Sequence, residues 1–272
     1  MRILFFGDIF GRPGREALRI VVPQFINEYK PDFIIGNVEN LAHGTGVTLR
    51  TLAEVDELGV FDAYTSGNHI FDTPEARDLL NQRDSLLLRP LNYPEGTAGK
   101  GALVATKGTK RLLVVNAMGR VFMKDVLNDP FAATMQLING YTMDAIDGEG
   151  EYVDGIFVDF HAEVTAEKRA FAFYLDGHVS AIVGTHTHVP TKDAQVLPNG
   201  TAYITDAGMV GPMHSSLGLN VEPIIEEFLS GQKQRREVSG VPLIEVGAVI
   251  IDIGKGGLAN NIEHIRKIVE IS

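Results

Sequence analysis

Short apolar runs alternate with helical patterns along the first half of the chain. Residues 2–6, 33–38 and 63–66 are predicted to be strands, and residues 33–38 are apolar on both faces, which is typical of the interior of a parallel sheet. Residues 15–29 carry apolar side chains at helical spacing, and Pro23 is expected to kink or divide this helix. Another helix is expected near 48–58. The alternation predicts an α/β sheet with right-handed crossovers.

Turn and cap residues predict several boundaries between these elements. Residues 11–15 contain two glycines and a proline, and are predicted to form a turn before the first helix. Thr73 followed by proline predicts an N-cap and first helical residue, with the helix running over about 74–82. Asp129 followed by Pro130 predicts the same start for a helix that ends near residue 139.

The second half of the chain continues with strands and helices and ends in an alternating tail. Residues 260–270 of that tail fit either a strand of a closing antiparallel pair or a helix. The other predictions are a strand pair at 101–106 and 111–116, a strand at 156–160, a helix at 163–175, a strand at 180–184, a hairpin around Pro198-Asn199-Gly200 and a short helix at 223–229.

Composition narrows the possible classes of protein. The chain has 272 residues, 44% of them hydrophobic, and no repeat or linker divides it, so we expect one domain over residues 1–272. Its net charge of −11 does not indicate an extended nucleic-acid-binding face. No apolar run approaches the roughly 18 residues of a membrane span, and no signal peptide is evident. The expected location is the cytoplasm.

The chain has no cysteine, so disulfides and thiolate metal sites are excluded. A metal site would have to use His, Asp, Glu and Asn side chains.

Side chains of these ligand types follow five of the predicted strands. They are Asp8, Glu39-Asn40, Asn68-His69, His161, and His186 with His188. Each alone is better explained as a turn, cap or solvated residue. Together they indicate a site, because ligands of open α/β sheets bind outside the carboxyl ends of the strands. His186 and His188 are two residues apart, so their rings point the same way if the strand continues through them.

Three histidines with carboxylates and amides exceed the needs of one ion, and suit two closely spaced transition metals with one bridging carboxylate. Such a pair can activate a bridging hydroxide for attack on a phosphate. A histidine that lies beside the metals without binding them is the natural proton donor for the leaving oxygen.

The order Asp8, Gly67-Asn68-His69, His161 and Gly184-Thr185-His186-Thr187-His188 resembles the calcineurin-like metallophosphoesterase superfamily. There are two departures from that pattern. Phe10 stands where the superfamily has a histidine, and Glu39-Asn40 stand where it has a bridging aspartate.

Both departures match a narrower family, the YmdB-type bacterial phosphoesterases. The strings that carry this resemblance begin at Gly7-Asp8-Ile9-Phe10-Gly11-Arg12-Pro13-Gly14-Arg15 and include Glu39-Asn40-Leu41-Ala42-His43-Gly44 and Asp159-Phe160-His161-Ala162-Glu163. The resemblance implies an α/β fold, specifically a four-layer α/β sandwich with two central mixed sheets flanked by helices. It also implies a centre of two metal ions, most often iron or manganese with zinc also compatible, and phosphodiesterase activity on 2′,3′- or 3′,5′-cyclic nucleotides.

The resemblance also implies a role for each candidate residue. One metal would be bound by Asp8 and His188 with Asn40 close by, and Glu39 would bridge the two ions. His69 would be the unbound proton donor. The second metal would be bound by Asn68, His161 and His186.

Two alternatives to the phosphodiesterase stay open at this point. One is a phosphomonoesterase or phosphoprotein phosphatase that uses the same metal pair. The other is a metal-binding regulatory module that acts through partners in RNA turnover. The sequence is also compatible with a homo-oligomer. Arg12 and Arg15 follow Asp8 and could either reach phosphate or be solvated.

Overall fold

The computed structural model describes residues 1–146 and 148–272. The helices in this part of the chain are α1 (Gly11–Tyr29), α2 (Leu49–Asp56), α3 (Ala76–Asn81), α4 (Pro130–Ile138), α5 (Thr165–Tyr174) and α6 (Val221–Ser230). The strands are β1 (Arg2–Phe6), β2 (Asp8–Ile9), β3 (Phe33–Asn37), β4 (Ala63–Thr65), β5 (Ala102–Lys107), β6 (Lys110–Met118), β7 (Tyr141–Thr142), β8 (Glu151–Tyr152), β9 (Gly155–His161), β10 (Ala181–Thr185), β11 (Gln195–Val196), β12 (Ala202–Ile204), β13 (Met209–Pro212), β14 (Leu243–Ile253) and β15 (Ala259–Glu270).

Most strands belong to two mixed sheets. The first has the order β2-β13-β14-β1-β3-β4, and β15 also pairs with β14. The second has the order β11-β12-β10-β9-β6-β5. In the first sheet β1 pairs parallel with β3 and antiparallel with β14, and in the second β9 pairs parallel with both β6 and β10.

The two sheets pack face to face between two layers of helices. On β1, Ile3 and Phe5 join the core between the sheets, whereas Leu4 and Phe6 pack under α1, α2 and α3. The outer face of the second sheet packs against α4 and α5. Because both faces of each central strand are covered, these strands are apolar without alternation. The expected four-layer α/β sandwich with two mixed sheets is confirmed.

The layer between the sheets changes from apolar to polar toward the carboxyl ends of the parallel strands. Inward-facing apolar residues such as Phe33, Ile35, Phe157 and Val183 lie in the middle of this layer. The next inward positions along the same and neighbouring strands are polar and fully buried: Asn37, Thr65, Asp159, His161 and Thr185. Buried polar groups need partners, so this end of the layer is built as a polar site.

Two local predictions are wrong, and a third is narrowed. Residues 11–15 are the first turn of α1, closed by a hydrogen bond from Gly14 N to Phe10 O of 3.0 Å. Of the two outcomes expected at Pro23, division of the helix is excluded, because α1 continues through Pro23 to Tyr29. Pro23 lies on the solvent-exposed face, where water can bond the carbonyl that lacks a helical donor. Thr73 does not cap α3, because its hydroxyl donates to Val47 O and the helix begins at Ala76.

The other predicted elements agree with the structure within a few residues, whereas β2, β7, β8 and β13 were not predicted. Asp129 caps α4 by accepting a hydrogen bond from Phe131 N of 3.0 Å. The tail is a strand, since β15 pairs along its whole length with β14, which resolves the choice left open over 260–270. None of the helices in the described residues is long and apolar enough to cross a membrane.

Candidate metal centre

Five of the candidate residues, drawn from both sheets, meet at one place. Asp8 opens β2 directly after β1, and Glu39 and Asn68 follow β3 and β4 of the first sheet. His161 is the last residue of β9, and His186 follows β10 of the second sheet. The site therefore lies where the carboxyl ends of the parallel strands of both sheets come together.

The Nε2 atom of His161 is the centre of this cluster. It lies 3.0 Å from Asn68 Oδ1, 3.1 Å from His186 Nδ1 and 3.2 Å from Glu39 Oε1. One imidazole nitrogen carries at most one proton, so it cannot donate a hydrogen bond to three acceptor atoms at once. Ligand atoms of Glu39, His161 and His186 all lie within 4.8 Å of one another. The cluster is an arrangement in which a shared cation would satisfy several lone pairs together.

Two buried oxygens of candidate ligands have no hydrogen-bond partner among the described residues. They are Asp8 Oδ1 and Asn40 Oδ1. The other oxygen of Asp8 accepts a hydrogen bond from His186 N at 3.1 Å, and Asn40 Nδ2 donates to Gly44 O at 2.8 Å. An unsatisfied buried oxygen is costly. Oxygen and imidazole donors of this kind fit a divalent transition metal.

The buried charges of the cluster depend strongly on one another. Burial raises the pKa of Asp8 well above its usual range, although the charge of His161 opposes this. Burial also favours neutral Glu39, but the charge and hydrogen bond of His161 outweigh it and lower the pKa of Glu39 to about 2. Burial disfavours charged His161, but Glu39 raises its pKa to about 9. Without a metal, the Glu39 carboxylate therefore holds a proton on His161, in the place that a cation can occupy.

The ring of His161 is oriented by a chain of hydrogen bonds. Its Nδ1 lies 2.9 Å from Thr185 Oγ1, and that hydroxyl donates to Asp159 Oδ1 at 2.7 Å. Thr185 thus accepts the Nδ1 proton, which directs Nε2 toward the cluster. The second oxygen of Asp159 accepts hydrogen bonds from Asn37 and Thr65 of the first sheet. Asp159 therefore joins the two sheets beside the site.

The strand before His186 and His188 does not continue through them, so the condition for the two rings to share a strand face is not met. β10 ends at Thr185, and both histidines have left-handed backbone angles, with φ of 101° and 63°. Burial and the charge of His161 lower the pKa of His186 to about 3, so its ring is neutral, and its Nε2 lies 3.0 Å from Glu163 Oε2.

His188 lies apart from the three-residue cluster. Its ring packs edge-on against Phe10 with centroids 5.6 Å apart, and its Nδ1 lies 3.4 Å from Leu217 O. Burial lowers the pKa of His188, so this ring is also neutral and able to bind a metal. Phe10 thus packs against a candidate ligand.

His69 stands at the edge of the cluster with its ring 31% exposed. Its backbone N donates to Glu39 Oε2 at 3.1 Å, whereas its Nδ1 lies 2.6 Å from Asp72 Oδ2. The ring is therefore held by a carboxylate outside the cluster.

Gly67 lies close to the His161 ring. A Cβ at residue 67 would be 2.2 Å from His161 Nε2.

Sequence reasoning missed several residues that support the site. Asp159 and Thr185 orient His161, Glu163 contacts His186, and Asp72 contacts His69. Asp159 lies two residues before His161, so the two-residue period of a strand indicates that both share a face. No comparable signal selects Asp72 or Glu163.

Arg12 and Arg15 pair with carboxylates. Arg12 Nε lies 2.7 Å from Glu16 Oε1, and Arg15 Nε lies 2.7 Å from Glu54 Oε2. Arg15 also donates to Leu41 O, beside Asn40. Arg15 therefore supports the loop that carries Glu39 and Asn40.

Comparisons of the sequence and of the fold with known proteins indicate one family. The profile described as "YmdB-like protein" matches residues 4–265. The 2′,3′-cyclic-nucleotide 2′-phosphodiesterase of Bacillus subtilis (strain 168) is 44% identical over 253 residues, which is 93% of this chain and 91% of that protein.

Two solved structures have nearly the same fold. A hypothetical protein from Thermus thermophilus superposes with a TM-score of 0.87 at 40% identity, covering 98% of this chain and 99% of the other. A phosphatase from Mycoplasma pneumoniae also gives a TM-score of 0.87, at 33% identity over 99% of this chain and 94% of the other. The predicted family is confirmed, and the chain belongs to the YmdB-like proteins.

Proposed function

We propose that the chain is a metal-dependent phosphodiesterase that hydrolyses small phosphodiesters, with 2′,3′-cyclic nucleotides as the first substrates to test. The observation that carries the proposal is the convergence of Asn68, His186 and Glu39 on His161 Nε2, at 3.0 to 3.2 Å. The choice of substrate rests on the Bacillus subtilis relative, which is named for 2′,3′-cyclic nucleotides. 3′,5′-Cyclic nucleotides are the second choice.

Two metal ions are proposed, and their ligands come from both sheets. Asp8 and His188 would hold one ion with Asn40, and Glu39 would bridge. Asn68, His161 and His186 would hold the other ion. When bound, such ions acidify a water molecule to give the nucleophile and neutralise phosphate charge. Iron or manganese is the first expectation, and the oxygen and imidazole donors are equally compatible with zinc.

His69 is proposed to be the general acid that donates a proton to the leaving group. His69 Nδ1 lies 2.6 Å from Asp72 Oδ2, so the contact with Asp72 leaves Nε2 as the atom that would give a proton to the leaving group. When the nucleophile attacks phosphorus and the ester P–O bond breaks, the leaving ribose oxygen would take that proton, and the proton lost by the attacking water would restore His69. The product of a cyclic phosphate is then a phosphomonoester with one free hydroxyl.

Both sheets supply proposed ligands, which supports a single functional domain over residues 1–272. Asp159 of β9 bonds Asn37 and Thr65 of the other sheet, so the two sheets are held together at the site itself. Separating the sheets would divide the ligand set.

The function is tested with manganese-loaded protein and four substrates: 2′,3′-cyclic AMP, 3′,5′-cyclic AMP, bis(p-nitrophenyl) phosphate and p-nitrophenyl phosphate. The proposal expects hydrolysis of the diesters, with kcat/KM for 2′,3′-cyclic AMP above that for the monoester. A phosphomonoesterase is the second candidate, favoured by the structural similarity to the Mycoplasma pneumoniae phosphatase. Faster turnover of p-nitrophenyl phosphate than of any diester would support it and reject the first proposal.

A further inference from the structure

A fully buried ion pair lies directly behind the turn that carries two proposed metal ligands. Lys168 of α5 and Asp206, in the loop after β12, both have side chains with 0% exposure. Lys168 Nζ lies 2.8 Å from Asp206 Oδ2 and donates to Thr185 O, the last residue of β10, at 2.7 Å. The pair connects an outer helix to the end of the strand that precedes His186.

Asp206 also holds the turn itself. Its Oδ2 accepts hydrogen bonds from Thr187 N at 3.1 Å and from Thr187 Oγ1 at 2.8 Å. Its Oδ1 accepts one from Gly208 N at 2.8 Å. Thr187 lies between the two histidines, so the carboxylate bonds the residue that connects them.

The conformation of the turn requires such support. His186 and His188 both have positive φ, which is unfavourable for residues with a Cβ and persists only where the surroundings impose it. A buried ion pair is a costly way to join a helix to a sheet, because apolar side chains of similar size often stabilise as well or better. The presence of the buried Lys168–Asp206 pair is explained if its role is to fix the geometry of the strained turn around Thr187.

We propose that Lys168 and Asp206 are positioning residues, which hold Thr187 so that His186 and His188 present their rings to the metal centre. The inference rests on the proposed function, since it takes the two histidines as metal ligands. It adds a task for two residues outside the ligand set. The competing explanation is that the pair only braces α5 against the second sheet.

The test uses three variants of the full chain. Asp206→Asn removes the charge of the pair and keeps one carbonyl acceptor. Thr187→Val removes only the hydroxyl bond to Asp206 and leaves the buried ion pair intact. It therefore still tests the proposal if Asp206→Asn folds poorly. Asp252→Asn is the control, because it breaks an ion pair with Arg2 at the opposite end of β1, where Arg2 Nε lies 2.7 Å from Asp252 Oδ1.

Two readouts are taken on metal-stripped protein: the Kd for Mn²⁺ by calorimetry, and amide hydrogen exchange over residues 185–190. For Asp206→Asn, we expect a Kd at least about tenfold weaker and faster exchange of this segment, because loss of a residue that orients ligands weakens metal affinity by roughly 10- to 100-fold. For Thr187→Val we expect a smaller change in the same direction, and for Asp252→Asn a Kd within twofold of wild type.

An unchanged Kd for both Asp206→Asn and Thr187→Val would overturn the proposal, and faster exchange with unchanged affinity would assign the pair to bracing alone. The outcome is separable from the proposed function. If wild-type protein binds Mn²⁺ tightly but hydrolyses no phosphodiester, the phosphodiesterase is rejected while the positioning role is still decided by the Kd values.

Discussion

Replacement of Gly67 by alanine tests whether the activity depends on the placement of His161. A Cβ at residue 67 would lie 2.2 Å from both Nε2 and Cδ2 of His161 and 2.4 Å from Glu39 Oε2. Ordinary contacts between such atoms are about 3.5 Å. The His161 ring, the Glu39 carboxylate or the backbone must therefore move by roughly 1 Å. The ring cannot move into open space, since His161 is fully buried.

The size of the effect follows from this displacement. Overpacking a tight site costs about 1–3 kcal/mol of the free energy of unfolding. A misplacement of about 1 Å can lower a catalysed rate by roughly 100-fold, which corresponds to about 2.7 kcal/mol in the activation free energy. We therefore expect Gly67→Ala to fold, with a lower melting temperature, to contain less metal, and to lose at least about 100-fold in kcat/KM for bis(p-nitrophenyl) phosphate.

Gly240→Ala is the matched control, because a Cβ there meets no atom within 4 Å. Its metal content and rate should equal those of wild type. Metal content and kcat/KM of Gly67→Ala within threefold of wild type would refute the reasoning, since the site would then tolerate a displaced His161.

Three further variants probe other parts of the site. His69→Ala should keep its metal, measured by elemental analysis, while kcat falls by about 100- to 10,000-fold because the proton donor is lost; loss of metal would instead make His69 a ligand. Glu39→Gln should weaken metal binding, seen as fewer ions per chain after dialysis, and retention of both ions would argue against a bridging role. Asp159→Ala leaves the hydroxyls of Thr185 and Thr65 and the amide of Asn37 without their acceptor, so chemical denaturation should show a loss of about 1–3 kcal/mol or more in the free energy of unfolding. The Kd for Mn²⁺ should weaken by roughly 10- to 100-fold, and an unchanged Kd would remove Asp159 from the support of His161.

The fold was predictable because its central strands carry a strong signal. The apolar runs before Asp8, Glu39 and His161 predict both the strands and the points at which they end. Weaker predictions failed where tertiary contacts decide. Thr73 resembles an N-cap in sequence, but its hydroxyl bonds the carbonyl of Val47, which is 26 residues earlier in the chain.

The candidate site was predictable in its residue types more than in its geometry. The sequence shows that polar residues follow neighbouring strands. The left-handed turn of His186 and His188 does not, because non-glycine residues adopt such angles only under constraint, and the constraint here comes from distant residues such as Asp206 and Lys168. A carboxylate 19 residues after Thr187 has no local signal that links the two.

The cluster of Glu39, His161 and His186, with the candidate ligands around it, is proposed to hold metal ions that support phosphodiester hydrolysis. The most direct measurement is elemental analysis and a bis(p-nitrophenyl) phosphate assay on the same sample, before metal removal, after it, and after addition of Mn²⁺ or Fe²⁺. We expect about two ions per chain, with activity lost on metal removal and restored on addition. A chain that binds no metal after reconstitution, or that binds metal and hydrolyses no phosphodiester, would contradict the account.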